Sequence, residues 1–162
     1  MLDAPFQSDH KNNPIARRGT LRVETTITIN RSVAEVMEYL TRVENLPSWA
    51  ENVVEASQTS QGPVEQGATC RVVTEVMQRR LSHEFAVTEF LPGERYAAHS
   101  TDGPFPMSLA YDVKPFEGGA QLHSVSEFNL PGMTALVESA MRKRVQSQFE
   151  SDHRELKRIL ES

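Results

Sequence analysis

Cysteine is almost missing from this sequence of 162 residues; Cys70 is the only one. A single thiol excludes an intramolecular disulfide and a cysteine-based zinc cluster, and it fits a reducing, cytoplasmic setting. Long apolar runs are missing too. None approaches the roughly 20 residues that cross a bilayer as a helix, so no membrane insertion is expected. The stretch from Met1 to Pro14 lacks both the basic start and the apolar segment of a secretion signal. Positive charge is in short supply: 17 Lys and Arg against 22 Asp and Glu leave a net charge of −5. That balance disfavours a nucleic-acid partner, whose phosphates need many neutralising cations. There is no internal repeat and no long low-complexity tract. What is present, 38% hydrophobic and 24% charged residues, suits one globular domain with enough chain to bury a core without staples.

Residues 1–19 hold two prolines, many polar side chains and no apolar period. They read as a disordered tail, or as an arm that docks on a partner. Residues 20–162 read as one domain. Leu21, Val23, Thr25, Ile27 and Ile29 alternate with polar residues, which predicts a strand with one buried face. Ser32 and Glu35 form a capping box, and Val33, Val36, Met37 and Leu40 follow at helical spacing. Pro47 disfavours a helical residue before it, so a short second helix or turn is expected at Leu46–Trp49.

A β region follows. Val53 and Val54 open a weak strand, and Gly67 begins a stronger one with Cys70, Val72, Thr74 and Val76 on one parity. Leu81, Phe85 and Val87 mark the next strand, which ends at Pro92 and Gly93. Tyr96, Ala98 and Ser100 come next, before a break at Asp102, Gly103 and Pro104. Met107, Leu109, Tyr111 and Val113 alternate, Glu117, Gly118 and Gly119 close a hairpin, and Leu122, Ser124, Ser126 and Phe128 line the last strand. From Met133 to Glu161 there is neither proline nor glycine, and Leu136, Val137, Met141, Val145, Phe149 and Leu156 form an apolar stripe at helical spacing. A helix of that length is about 40 Å long. Only the sheet offers a surface large enough to bury its stripe.

The fold class is therefore α+β. A curved antiparallel sheet of about seven strands wraps a long C-terminal helix, and two short helices follow the first strand. Such a sheet rarely closes tightly on one helix along its whole length, and the gap is an internal pocket. Thr74, Ala98, Ser100, Ser124 and Ser126 are small for inner positions, which makes the interior roomy. The expected lining is Trp49, Val72, Thr74, Phe85, Val87, Tyr96, Ala98, Ser100, Leu109, Tyr111, Ser124 and Ser126 from the sheet side, with Met141, Val145 and Phe149 above.

Several segments in this order resemble the START-like SRPBCC superfamily with the helix-grip fold, within it the polyketide cyclase/dehydrase and lipid-transport group. Ile27–Val36 resembles that family's strand and capped helix. Val43–Trp49 resembles its "enlprW" turn, Gly67–Arg71 its "vGtrv" strand start, and Val87–Arg95 its "vtefePperl" hairpin. Gly118–Leu122 resembles the "gGTrv" start of the last strand, with Ala120 in place of threonine. The match covers roughly residues 21–160. It implies the helix-grip fold and an internal ligand pocket. It carries over no catalytic residue, because the family has no universal one.

The residues themselves point away from metal and nucleophile chemistry. His83 and Glu84 begin like a zinc-protease motif, but Val87 stands where the second histidine belongs. His123 and Glu127 share a strand face read as outward, and His99 is outward by parity. His153 beside Asp152 fits a polar helix face, and His10 lies in the tail. Cys70 falls on an apolar parity, which suits a core cysteine. There is no Gly-x-Ser-x-Gly elbow and no P-loop. No metal and no cofactor is implied. The remaining catalytic candidates are Tyr96 and Tyr111, inward phenols that can orient a carbonyl or donate a proton, and Asp102 at the proposed mouth. A one-residue slip in the Leu81–Phe90 strand would turn Glu84 inward.

The first functional expectation is a carrier or binding protein for a small hydrophobic or aromatic molecule. The second is a cyclase, aromatase or dehydrase that shapes a polyketide-like chain in the same pocket. The third is an interaction or regulatory module using the tail and the basic residues of the last helix.

Overall fold

A computed structural model describes residues 19–162. The tail expected over residues 1–19 lies outside the described residues, save Gly19. In chain order the elements are β1 (Thr20–Ile29), α1 (Val33–Thr41), a 3-10 turn (Val43–Asn45), α2 (Leu46–Trp49), β2 (Val53–Gln58) and β3 (Thr69–Val76). Then come β4 (Arg79–Leu91), β5 (Arg95–Asp102), β6 (Met107–Phe116), β7 (Gly119–Asn129) and α3 (Ala135–Glu161). The strands form one seven-stranded sheet in the order β1-β7-β6-β5-β4-β3-β2, with every pairing antiparallel. The sheet curves into a half-barrel around α3. The expected α+β architecture is the one observed.

Local chemistry starts each element. The Ser32 hydroxyl accepts from the Glu35 amide at 3.2 Å, and the Glu35 carboxylate accepts from the Ser32 amide at 2.9 Å. These two bonds close the predicted capping box at α1. Leu46 differs from its expectation. It is helical despite preceding Pro47, because the proline sits in the first turn of α2, where no intrahelical N–H is required. One hairpin had no turn signal in the sequence. Met77 and Gln78 both take positive φ, 51° and 64°, between Val76 and Arg79. A two-residue hairpin needs that left-handed pair to match the strand twist, and neither residue adopts it cheaply.

The first and last strands lie side by side. Ten residues of β1 pair with β7, from Thr20 opposite Asn129 to Ile29 opposite Ala120. The other edge of β1 is held by α3. Gln146 Nε2 donates to the Glu24 carbonyl at 2.7 Å, and its Oε1 accepts from the Glu24 amide at 3.3 Å. Lys157 Nζ donates to the Thr28 carbonyl at 2.7 Å, and Glu161 accepts from the Asn30 amide at 2.8 Å. Side chains of the helix thus satisfy backbone groups that an edge strand would otherwise offer to another chain. From Gln146 to Glu161 the helix rises about 22 Å. From Glu24 to Asn30 the strand advances about 20 Å. Helix and strand run in step.

That alignment corrects one expectation. The apolar stripe of α3 was expected to bury along its full length. Instead, Leu136 is 83% exposed, and Val137 and Met141 are exposed as well. With Gln146 already opposite Glu24, the helical turns before it have only the first few residues of β1 to lie on. The buried part of the stripe begins near Val145 and continues through Phe149, His153 and Leu156.

Replacing the strained pair by Met77→Asn with Gln78→Gly should stabilise the fold by about 1 kcal/mol. Urea unfolding at constant slope measures this, and an unchanged midpoint would mean that the hairpin carries no strain.

Candidate functional site

The ladder registers arrange the concave face in transverse rows. One row runs Thr25 (β1), Ser124 (β7), Tyr111 (β6), Tyr96 (β5) and Phe90 (β4), each residue directly opposite the next. Its mouth-side neighbour runs Val23, Ser126, Leu109, Ala98 and Val87. On the other side lies the apolar row Ile27, Leu122 and Val113. Two bulges keep this order. One adds Thr101 to β5 opposite the step from Glu84 to Phe85, and the other adds Thr88 to β4 between Val87 and Glu89. The second returns Phe90 to the same face as Tyr96 and leaves Glu89 outside, where it pairs with Arg95 at 2.8 Å.

Rings frame these rows. Centroid distances of 4.8 Å from His83 to Phe105, 6.4 Å from Phe105 to Phe128 and 5.9 Å from Phe128 to Phe149 trace a continuous path. It continues at 6.3 Å from Phe149 to His153 and 5.6 Å from His153 to Trp49. The path passes from β4 over the sheet to α3 and ends on α2. On the sheet, the Tyr96 and Tyr111 rings stack at 6.1 Å. Burial pushes both phenols above their ordinary pKa, so they stay protonated near neutral pH. Burial also pushes the Cys70 thiol up to about 11, which suits a core thiol rather than a nucleophile.

Two histidines turn out to belong to this interior. His153 was read as part of a polar helix face, but it is 2% exposed. Its Nδ1 lies 2.8 Å from the Thr25 hydroxyl, across 128 positions of sequence. Burial lowers its pKa to about 4, so the ring is neutral near pH 7. His83 shares the buried face with Phe85 and Val87, and its Nε2 lies 3.2 Å from the Phe105 carbonyl. A side chain at Gly103 would bring a Cβ within 2.4 Å of the His83 ring, so the β5–β6 loop closes tightly on that histidine.

The other expected residues fall as follows. Phe85, Val87, Tyr96, Ala98, Tyr111, Ser124 and Ser126 are buried on this face, and Trp49 is buried on α2 with its ring against His153. Leu109 is half-buried among them, and Ser100 accepts the Met107 amide at 2.9 Å. Val72 and Thr74 lie opposite His83 and Leu81 at the far side of the sheet. Val145 and Phe149 face the sheet, whereas Met141 does not, for the reason of length given above. Asp102 is exposed, and its carboxylate accepts from the Gly103 amide at 2.8 Å, as a turn aspartate does. Glu84 stays outside, 3.9 Å from Arg71. His99 is exposed. His123 and Glu127 do face outward, but Glu127 is covered by Arg22 at 2.8 Å rather than simply solvated. Phe105, His83 and His153 were not in the expected lining. Parity with Phe85 was the available signal for His83, and helical spacing from Phe149 and Leu156 was the signal for His153.

Two open clefts lie elsewhere. One of about 440 Å³ is bounded by Gly19, Gly132, Met133, Ala135 and Glu138, and one of about 260 Å³ lies between Arg31, Tyr39 and Leu160. Neither shares a residue with the rows described above. Among the described residues no group of three or more His, Cys, Asp or Glu is placed to hold a metal ion. No helix among them is long and apolar enough to cross a membrane.

The family described as polyketide cyclase / dehydrase and lipid transport matches residues 20–161. The chain belongs to this family. Its fold is shared with solved structures at low identity. TTHA0849 from Thermus thermophilus is 17% identical with a TM-score of 0.73, over 86% of this chain and 96% of that one. A START superfamily protein from Mycobacterium smegmatis is 14% identical with a TM-score of 0.72, over 86% and 97% of the two chains. The di-domain aromatase/cyclase StfQ of the steffimycin biosynthetic pathway is 14% identical with a TM-score of 0.69, over 85% of this chain and 50% of that one. No functionally curated protein matches the sequence. The fold of this family is consistent with a small-molecule pocket.

Burial of neutral His153 sets a pH dependence. The unfolded histidine binds a proton below about pH 6.5, while the folded one resists until about pH 4. The native state therefore loses up to about 3 kcal/mol between those values as pH falls. His153→Phe removes this contribution. Urea midpoints should drop more steeply from pH 7.5 to 4.5 in the wild type than in the variant, and equal slopes would show that the ring does not resist protonation.

Proposed function

We propose that this protein binds a small, largely apolar, aromatic-sized molecule on its concave face, between the sheet and α3, as a carrier or binding protein. The observation that carries this reading is the pairing of small side chains, Ala98, Ser124 and Ser126, with the ring path from His83 to Trp49 around them. Small residues leave room and rings offer flat apolar walls, the usual composition of a ligand site. Membership of a family with lipid-transport and cyclase members supports it. A cytoplasmic setting, with Cys70 reduced and no nucleic-acid partner, belongs to the same proposal.

A second reading, an enzyme that closes rings on a poly-β-ketone, is favoured by the Tyr96–Tyr111 stack, whose protonated phenols could donate hydrogen bonds to ketone oxygens. The fold-level likeness to StfQ adds only analogy. Ring-closed products with loss of water from a synthetic poly-β-ketone would distinguish the enzyme from the carrier.

Binding is directly measurable because Trp49 is the only tryptophan and lies against His153. An anilinonaphthalene dye should change Trp49 fluorescence saturably at one dye per chain. Ser126→Phe should fill the space beside Leu109 and weaken binding by at least about tenfold, with the circular dichroism unchanged. Dye uptake that Ser126→Phe leaves intact would place the ligand elsewhere.

A further inference from the structure

Because every strand pairing is antiparallel, three connections lie at the end of the sheet where β1 begins. They are the β3–β4 hairpin, the β5–β6 loop and the link from β7 into α3. Large apolar side chains are exposed there. Met77, at the hairpin tip, is 85% exposed, and Val76 beside it is exposed as well. Leu136 and Val137 are exposed on the first turn of α3, and Pro104 and Pro106 on the loop. The hairpin holds Met77 outward on a left-handed backbone that asparagine or glycine adopts more readily.

The start of α3 also changes sides. Val145, Phe149 and Leu156 are turned to the sheet. Leu136 precedes Val145 by nine residues, which at about 3.6 residues per turn is half a revolution. The face of Leu136, continued by Ala140 and Lys143 and flanked by Val137 and Arg144, is exposed throughout. Packing against the sheet therefore does not explain why this face is apolar.

Charge on these segments runs against that of the whole chain. Residues 76–80 and 130–144 hold Arg79, Arg80, Arg142, Lys143 and Arg144 with one carboxylate, Glu138, in a chain of net charge −5. Arg142 holds Glu138 at 2.6 Å, and Arg80 meets Glu55 at 2.9 Å. Arg79, Lys143 and Arg144 make no ion pair among the described residues. Asp102, at the foot of the loop, is turned onto the Gly103 amide. Lys143 and Arg144 stand about 10–12 Å along the helix axis from Leu136. An amphipathic element that buries its apolar side chains about 5–10 Å into a lipid surface brings such cations to the phosphates. A folded protein partner needs one continuous complementary face. Here the apolar side chains stand on separate projections with cations behind them, which a fluid surface accommodates.

We propose that this end of the molecule docks on an anionic lipid surface, with Leu136, Val137 and Met77 at the boundary of headgroups and chains and Arg79, Lys143 and Arg144 against the phosphates. The contact is peripheral, and no helix among the described residues is long and apolar enough to cross the bilayer. It does not depend on what the concave face binds.

Flotation of the full chain with vesicles of phosphatidylcholine alone, or with about 30% phosphatidylglycerol, tests it. A chain of net charge −5 is repelled on average by an anionic surface, so a preference for one must come from a local patch. The wild type should partition onto the phosphatidylglycerol vesicles at least about tenfold more strongly, and salt at about 0.5 M should weaken the binding. Lys143→Glu with Arg144→Glu should remove most of that preference. Leu136→Ser with Val137→Ser should lower partitioning onto the same vesicles at least about tenfold. Both pairs are exposed, so the circular dichroism should stay unchanged. Equal partitioning onto the two kinds of vesicle would overturn the proposal. A preference that survives the Lys143 and Arg144 change would also overturn it and move the contact to residues 1–18, which hold Lys11, Arg17 and Arg18. Partitioning that survives the Leu136 and Val137 change would overturn it by reducing the contact to adsorption by charge. Absence of vesicle binding, with self-association that Leu136→Ser abolishes, would overturn it in favour of a second copy of this chain. Absence of both would overturn it outright.

Discussion

The pairing of β1 with β7 is the constraint on which the rest of the molecule depends. It joins the first strand to the last through ten residues of register. Because α3 follows β7 directly, the same pairing delivers the helix onto β1. Gln146, Lys157 and Glu161 then occupy the backbone groups on the strand's free side. Thr25 is caught between both partners, opposite Ser124 on the sheet and within 2.8 Å of His153 on the helix. Every polar group discussed for the site is placed by that junction or by a strand paired in sequence from it.

The junction also gives the interior its two unlike ends. At the end where β1 runs into α1, Ile29, Ala120 and Val113 join Val36, Met37 and Leu40 in a continuous apolar core. At the other end the helix outruns its support, and the ring path from His83 through Phe105 and Phe128 to Phe149 forms the boundary. Between them sits one polar level. A low-dielectric interior strengthens each hydrogen bond made there and penalises each one left unmade.

Family membership and the arrangement of the site answer different questions. The helix-grip framework is common to proteins that share only 14–17% of their residues with this chain. A framework that tolerates so much change does not specify a ligand. The row of hydroxyls and the buried imidazole beside it depend on particular side chains at particular registers.

The elements were legible from the residues alone, because their causes are local. Alternation in Leu21–Ile29, the Ser32–Glu35 box, Gly118 in its hairpin and the helical stripe of Val145, Phe149 and Leu156 each depend on neighbours within a few positions. Strand parity also placed Tyr96, Tyr111, Ser124 and Ser126 on one face, since the bulges beside Glu84 and Val87 lie outside those stretches. Long-range packing decided the rest. Met77 and Gln78 turn a hairpin with residues that carry no turn signal, because the twist of β3 and β4 imposes it. Met141 is exposed because a helix of 27 residues outlasts the strand it follows. His153, flanked by Asp152 and Arg154, looks like surface until β1 brings Thr25 beneath it. A row across four strands, with a helix residue 128 positions away completing it, is set by long-range register, and no local pattern encodes which residues will stand opposite one another.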